Sequence, residues 1–375
     1  MASLASSSAR AAEAARPLAE GRLRRLVHAL EGPQTMGRGP VFWAGFGLVL
    51  ALAVAAPQLT DGYTVGNAAY FLCWTFMALG LCLIWGYGGA LSFGQTAFFG
   101  VSGYAYGVIT LDLGGAHGLT LAALAAAVLV SALFAAVLGY FLFFGRIGGV
   151  FLGIVTLSVT LVLERFMAQT AGPEWHIGAA RLNGFNGMSG MPPLTLPWLG
   201  EDGGDLALVP DAPLYYFVLG LLVAAYLGLR ALVNSRFGNV LVAIRENPAR
   251  ATMLGYDTRK YQLGAFVIGS ALAGLSGALY TAWGQYITPS SMGLTAASLP
   301  IVWVAVGGRG DVTATLVGTL AVLAGFQTLT IYGSQYALVA MGTLLVLCVL
   351  AAPEGLVVGV VRLVAHLARR ARGRA

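Results

Sequence analysis

The sequence predicts an all-α polytopic membrane protein of about ten transmembrane helices, some of them broken or re-entrant. Hydrophobic residues make up 58% of the chain and charged residues 10%, whereas a soluble domain carries about 25% charged residues. The 52 glycines are typical of membrane helices that pack closely or break. The basic residues lie in tails and loops, so the net charge of +6 predicts contact with anionic lipid headgroups and not with nucleic acid.

The apolar segments give the individual spans, since a helix needs about 20 apolar residues to cross a bilayer and fewer where it is broken. The candidate spans are 41–56, 68–87, 91–111, 119–144, 148–170, 213–233, 263–283, 298–308, 312–330 and 336–352. Segment 298–308 contains Pro300 and is too short for a full crossing. Only residues 86–90 separate the second and third segments, which predicts a bent pair or a re-entrant piece. The transmembrane domain is therefore expected over 41–356.

The charges predict that both termini are cytoplasmic. Basic loops favour the cytoplasmic side of a membrane. One side receives Arg146, Arg309, the polar segment 234–262 and two basic extensions, 1–40 and 357–375. The opposite, periplasmic side receives the acidic loop 171–212. Its turn-rich start, Asn183 to Gly187, predicts local order. Two cytoplasmic termini require an even number of crossings, which ten segments satisfy.

Two glycine-rich stretches interrupt the apolar pattern. Solute sites of membrane transporters form where helices break, because the freed backbone groups can face a cavity. The glycines that mark the breaks or close packing are Gly88, Gly89, Gly94, Gly307, Gly308 and Gly310. The first stretch is interpreted as a permeation-lining bend, with close packing through small residues as the alternative. In the second stretch we expect Arg309 to be paired, with Asp311 or across a subunit interface.

Polar side chains at membrane depth are candidates for lining a solute pathway. They are Ser92, Gln95, Thr96, Thr156, Trp283, Gln285 and Trp303. Serine and threonine in membrane helices usually bond the carbonyl four residues earlier, so local bonding is the alternative for each of them.

Several function classes are disfavoured by what the spans do not contain. They hold no pair of carboxylates or histidines for a proton relay, which argues against a proton-driven carrier. The only lysine, Lys260, is not preceded by glycine, so the chain has no phosphate-binding G-x-x-x-x-G-K-[ST] loop. Any ATP would be hydrolysed by another polypeptide. The sequence contains no nucleophile–base pair that would indicate a membrane enzyme. Cys73, Cys82 and Cys348 lie in apolar spans, so we expect them to be packing residues and not metal ligands.

Three motifs together resemble the inner-membrane permeases of branched-chain amino acid ABC importers, the LivM-like subunits. They are AIRENPARATMLGYD at 243–257, VAVGGRGDVTATLVG at 304–318 and GGVFLGIVTL at 148–157. Related permeases for urea and short-chain amides share the pattern, and WGQYITP at 283–289 is similar to that branch. The resemblance covers 65–356 and implies a multi-pass protein of the inner membrane with a small-molecule substrate. The residues alone do not decide between an amino acid and urea.

The resemblance also implies partners and a coupling element. The partners are a second permease of the same family, two ATPase subunits that bind ATP and Mg, and a periplasmic or lipid-anchored solute-binding protein, with no cofactor in this chain. Residues 243–257 would be the coupling helix that enters a cleft on the ATPase. Its implied contact residues are Arg245, Glu246, Asn247, Pro248, Arg250, Met253, Leu254 and Gly255. The alternatives are a solvated basic loop and, for the whole protein, an ATP-independent channel or secondary carrier.

Overall fold

The computed structural model describes residues 30–114, 118–197, 204–352 and 354–362. The predictions for residues 1–29 and 363–375 lie outside these described residues. The helices are α1 (Gly39–Leu59), α2 (Gly62–Leu81), α3 (Gln95–Asp112), α4 (Leu119–Phe144), α5 (Val150–Ala168), α6 (Ala212–Asn234), α7 (Arg236–Glu246), α8 (Pro248–Met253), α9 (Thr258–Gly284), α10 (Leu294–Gly307) and α11 (Val312–Ala351). A π-helix, Cys82–Tyr87, continues α2.

Every predicted span is helical, which confirms the all-α polytopic membrane fold. Within the described residues, seven helices are long and apolar enough to cross a membrane: Gly39–Leu59, Gly62–Tyr87, Leu119–Phe144, Val150–Ala168, Ala212–Asn234, Thr258–Gly284 and Val312–Ile331. The other three predicted segments correspond to α3 with 18 residues, α10 with 14 residues and the second half of α11. They are shorter or less apolar than the seven.

The last two predicted spans form a helical hairpin. Gly333, with φ −160° and ψ 58°, interrupts the helical backbone of α11. Cys348 Sγ then lies 3.5 Å from the carbonyl oxygen of Ala305, just before the start of α11. The chain therefore reverses at Gly333, and its two halves run in opposite directions.

The two described ends of the chain lie on the same face of the bundle as α7 and α8. Residues of the N-terminal stretch 30–38 and of the C-terminal stretch 354–362 line one cavity with Arg245 of α7. This arrangement agrees with an even number of crossings. That this face is the cytoplasmic one stays a prediction from the charges.

The centre of the bundle is built by glycines that let backbones touch. A Cβ added to Gly80 of α2 would meet the carbonyl oxygen of Gly269 in α9, and one added to Gly269 would meet that of Gly80. Gly277 of α9 approaches the Phe99 carbonyl of α3 in the same way. Small residues at helix crossings are the usual route to close packing in membranes. Helix α9 consequently packs against α2, α3 and α4.

The opposite face carries short strands in and around the loop 171–212. The strands are β1 (His176–Ile177), β2 (Ala180–Arg181), β3 (Met188–Ser189), β4 (Leu194–Leu196), β5 (Leu206–Leu208) and β6 (Tyr286–Ile287). Strands β1 with β2, β3 with β6, and β4 with β5 form antiparallel pairs. Residues Gly184–Asn186 form a 3-10 turn, which confirms the predicted order at the start of the loop. The pairing of β3 with β6 ties this loop to the end of α9.

Candidate functional site

The predicted coupling segment is a pair of short helices on the face of the chain ends. Helix α7 buries Val240, Leu241 and Ile244 and leaves its charged residues outward, so it lies on the bundle as an amphipathic helix. Asn247 ends α7 and caps α8, because its side chain accepts a hydrogen bond from the Arg250 N–H at 2.9 Å. Pro248 occupies the first turn of α8, where its fixed φ fits a helix start.

The outer surface of this segment is exposed and mixed in character. Met253 and Leu254 are 87% and 70% exposed, and Gly255 has a positive φ of +87° that ends α8. Glu246 and Arg250 are also exposed. These four side chains form the outer surface of the segment.

Arg245 connects the coupling segment to the first glycine break. Its guanidinium donates a 2.6 Å hydrogen bond to the carbonyl oxygen of Gly86 in the π-helix. The same side chain pairs with Glu246 at 2.7 Å. Gly89 has a φ of +71°, and a Cβ added there would lie 2.9 Å from Cγ of Arg245. The break therefore needs glycine at 89 so that α7 can lie against it.

The two glycine breaks meet each other directly. A Cβ on Gly86 would collide with the Arg309 carbonyl oxygen, and Cys82 Sγ lies 3.4 Å from that oxygen. Around this contact is a charged crevice of about 620 Å³. Its lining includes Gly89, Arg245, Glu246, Arg309, Gly310, Asp311, Glu354 and Arg362. The coupling segment, both breaks and the two described terminal stretches, 30–38 and 354–362, thus share one cavity.

The expected pairing of Arg309 with Asp311 is wrong. The Arg309 guanidinium lies over the ring of Trp85, 5.3 Å from its centroid, in a cation–π contact. The Asp311 carboxylate instead caps α11 by accepting from the Ala314 N–H at 2.8 Å and accepts from the Met36 N–H. Among the described residues, Arg309 has no carboxylate partner. Asp311 is therefore used as the N-cap of α11 and is not available to pair with Arg309, its neighbour in sequence.

The first break lies between the π-helix and α3, and its backbone is held by hydroxyls. Ser92 Oγ accepts from the Gly94 N–H at 3.1 Å. Thr156 Oγ1 of α5 accepts from the Phe93 N–H at 3.1 Å and donates to the Leu152 carbonyl at 2.9 Å. Ser92 and Thr156 therefore satisfy backbone groups that the break exposes, and this use of their hydroxyls does not itself support a solute-lining role.

Gln95 and Thr96 open α3 and have no such partners. Gln95 is 1% exposed and Thr96 0%. Both atoms of the Gln95 amide and the Thr96 hydroxyl lack a hydrogen-bond partner among the described residues. Buried polar groups are almost always paired, because leaving one unpaired costs about 1–3 kcal/mol. Of the predicted pathway residues, these two carry unused hydrogen-bonding capacity at membrane depth.

Of the remaining predicted pathway residues, Trp283 and Gln285 lie toward the face with the strands, and Trp303 lies inside the bundle. Trp283 donates a 2.9 Å bond to the Gly66 carbonyl, and Gln285 ends α9 with a φ of +53°. Trp303 is 2% exposed and packs edge-on against Trp74, with ring centroids 5.8 Å apart. The structure thus separates Gln285 from the group around the break and places Trp303 in an aromatic cluster.

Sequence reasoning missed the centre of that cluster, Trp74. Its ring stacks on Phe99 at 4.7 Å and 8° and contacts Tyr280 at 5.2 Å. The Trp74 indole Nε1 is buried without a hydrogen-bond partner in the described structure. Nothing in the local sequence distinguishes this tryptophan, since it lies in an apolar span like many packing residues.

Arg230, a charged residue within α6, was also missed. It is 0% exposed and donates to the carbonyl oxygens of Leu30 and Gly37 at 2.9 and 2.7 Å. It also donates to Tyr226 Oη at 3.0 Å, and its guanidinium carbon lies 4.5 Å from the Phe42 ring centroid. An arginine inside an apolar span is a functional or structural signal on its own, so the sequence contained the clue.

Residues 30–38, which Arg230 holds, form a strap across this face. The Gln34 backbone N–H donates to Asn234 Oδ1 at 3.2 Å, and its side chain donates to Asn239 of α7 at 3.2 Å. Tyr87 Oη donates to the Gln34 carbonyl at 2.9 Å. With the Met36–Asp311 contact, the strap joins α6, α7, the π-helix and the start of α11. Residues 30–40, predicted as part of a separate basic extension, are thus bonded into the bundle.

Comparison with known proteins agrees with this arrangement. The family model for the permease component of branched-chain amino acid transport systems matches residues 63–351. The high-affinity branched-chain amino acid transport system permease protein LivM of Escherichia coli is 27% identical over 330 residues, which cover 82% of this chain and 73% of that protein. Its Salmonella typhimurium counterpart is 26% identical over 330 residues, with the same coverage.

A probable branched-chain amino acid transport permease protein LivM of Methanocaldococcus jannaschii is 30% identical over 118 residues, which cover 31% of this chain and 34% of that protein. No solved structure gives a significant match. The family model spans well over half of the sequence, and the seven spans fit a multi-pass protein of the inner membrane. The chain therefore belongs to the permease components of branched-chain amino acid transport systems.

Proposed function

We propose that this chain, a permease subunit of an ABC importer by family, forms with a second permease of that family the pathway for branched-chain amino acids. Two ATPase subunits would bind ATP and Mg and dock on the face of α7 and α8. A solute-binding protein, periplasmic or lipid-anchored, would deliver the amino acid to the opposite face. The family and the names of the relatives support the substrate, and the geometry of the coupling segment supports the mechanism.

One observation carries the mechanism: the 2.6 Å bond from Arg245 to the Gly86 carbonyl. It links a helix with an exposed outer surface to the point where α2 leaves helical geometry. The Gly86 backbone in turn touches the Arg309 carbonyl. A displacement of α7 by a docked ATPase therefore reaches both glycine breaks through directly bonded groups. A solvated basic loop would have no reason to contact the break.

The test removes the outward charges of the segment while leaving Arg245 in place. The variant is Glu246→Ala with Arg250→Ala, and the matched control is Arg236→Ala, an exposed arginine at the start of the same helix. Exposed pairs contribute about 0–1 kcal/mol to folding, so the double variant should reach the membrane normally. A desolvated charge contact at an interface is worth about 2–5 kcal/mol, more than tenfold in affinity.

We expect the double variant to lose co-purification of the ATPase and leucine uptake by at least tenfold, with the control unaffected. Normal uptake by a well-expressed double variant would show that residues 243–257 are not the coupling element. Uptake of urea or a short-chain amide in place of leucine would assign the chain to the related permease branch. Uptake that continues without ATP would support a channel or a secondary carrier.

A further inference from the structure

The N-terminus of α3 lies inside the membrane and not at its surface. Helix α2 with its π-helix covers 26 residues and α3 covers 18, about 39 and 27 Å at about 1.5 Å per residue. Both reach the face of the 171–212 loop: Asp112 accepts from the Ala179 N–H at 2.6 Å, and Gly62 lies beside Asp211. The start of α3 is therefore about 12 Å short of the other face.

Contacts between the first glycine break and α5 independently place the start of α3 at the same depth. The Phe93 N–H, just before α3, bonds Thr156, which lies six residues into α5. Helix α5 begins on the face of α7 and α8, since Gly149 and Leu152 line a cavity with Arg245. Six residues of helix rise about 9 Å, so the start of α3 is well below the surface.

This buried helix end presents several unused hydrogen-bond donors. The backbone N–H groups of Gln95 and Thr96 precede the first intrahelical bonds of α3, which Ala97 and Phe98 make to the Gly94 carbonyl. Such N–H groups carry the positive end of the helix dipole and bind anions. The amide of Gln95 and the hydroxyl of Thr96, both buried and unpartnered, lie at the same end. Side chains of a helix tilt toward its N-terminus, so the Gln95 amide is directed into this site.

An apolar surface adjoins these donors. Phe99 follows Gln95 by four residues and therefore lies on the same side of α3, one turn of about 5.4 Å away. Its ring stacks on that of Trp74, and Trp74 contacts Trp303. A group of donors with net positive potential next to stacked aromatic rings matches a molecule with a carboxylate beside an aliphatic side chain.

We propose that the buried N-terminus of α3 binds the carboxylate of an amino acid in transit, with Gln95 and Thr96 in contact with it and Phe99 and Trp74 against its side chain. The inference rests on the proposed function and deepens it, because the positive end of the helix dipole favours a carboxylate over a neutral solute such as urea, which carries no negative charge. Gln95, Thr96 and Phe99 are buried in this structure, so a solute reaches them only when the surrounding helices part, as in alternating access.

The test uses the complete importer in proteoliposomes, with leucine uptake and ATP hydrolysis measured on the same preparation. Gln95→Glu places a negative charge where the carboxylate would bind and should lower leucine uptake by at least tenfold. Thr96→Val removes only the hydroxyl and should lower it several-fold. Ser102→Ala is the matched control, because Ser102 Oγ is also buried in α3 without a partner but lies two turns further along, and uptake should stay within twofold of the original protein.

Assembly with the ATPase and its hydrolysis of ATP should persist in all three variants, which separates this site from the coupling element. Unchanged uptake in Gln95→Glu, or an equal fall in Ser102→Ala, would overturn the proposal. If Gln95→Glu does not assemble, leucine uptake by Thr96→Val is compared with leucine uptake by Ser102→Ala. Equal uptake by these two variants refutes the site. An original complex that imports urea with ATP but no amino acid would refute the site and leave the importer function standing.

Discussion

Replacing Arg230 with leucine should release the strap, residues 30–38, from the bundle. Leucine keeps much of the buried volume but cannot donate, so the carbonyls of Leu30 and Gly37 lose their 2.9 and 2.7 Å hydrogen bonds. The Leu30 carbonyl keeps a 3.4 Å hydrogen bond from the Asn234 amide, whereas the Gly37 carbonyl is left without a donor, at a cost of about 1–3 kcal/mol. That cost is reduced because a buried cation, costly to desolvate, is removed as well.

A net cost of about 1.4 kcal/mol corresponds to a factor of about ten in the opening equilibrium. The cost falls on the strap, because the strap carbonyls are the groups that lose their donor and can turn to water once it detaches. Hydrogen exchange of the purified protein should therefore become about tenfold faster in residues 30–38 and stay unchanged in α9. The control Arg236→Leu alters an exposed arginine and should leave both unchanged.

Equal protection of residues 30–38 in the Arg230→Leu protein would refute the reasoning, because it would show that the remaining strap contacts suffice. The contacts through Gln34 and Met36 do not involve Arg230, so this outcome is physically accessible. Faster exchange throughout the protein would equally contradict a local effect and would assign Arg230 to global stability.

Two further predictions concern packing and topology. Gly86→Ala should prevent accumulation of folded protein, because the added Cβ collides with the Arg309 backbone. The control Gly45→Ala in α1 meets no atom within 4 Å and should leave the thermal unfolding temperature unchanged. A stable Gly86→Ala protein would contradict the close contact. In intact cells, with the outer membrane permeabilised if there is one, an impermeant thiol reagent should modify Ser189→Cys in β3 and not Ala249→Cys in α8. Labelling of Ala249→Cys alone would invert the predicted orientation.

Hydropathy alone located the ten apolar helical segments, with α11 counted as two, because apolar length is a local property of a membrane span. The glycine stretches and the polar coupling segment were also visible as departures from that pattern. The separation of spans 312–330 and 336–352 also predicted a reversal of the chain between residues 330 and 336, and the structure places the break at Gly333.

Contacts between distant parts of the chain could not be predicted. The approach of Gly86 to Arg309 joins residues more than two hundred positions apart, and no periodicity reports such a pair. The stacking of Trp74 on Phe99 and the pairing of β3 with β6 have the same character. For Arg309, proximity in sequence suggested Asp311 as a partner, whereas the helix cap and the strap take that carboxylate.

The glycine contacts have a mechanical consequence. Where Gly80 meets Gly269, Gly277 meets Phe99 and Gly318 meets Gly307, one backbone lies directly against another. Side chains in an ordinary interface can change rotamer and cushion a small slide, but peptide groups in contact have no such freedom. These contacts form two units, one of α2, α3 and α9 and one of α10 and α11, and each unit moves as a rigid body or separates altogether. Opening and closing must then take place at the borders of the units, where side-chain contacts can break one at a time.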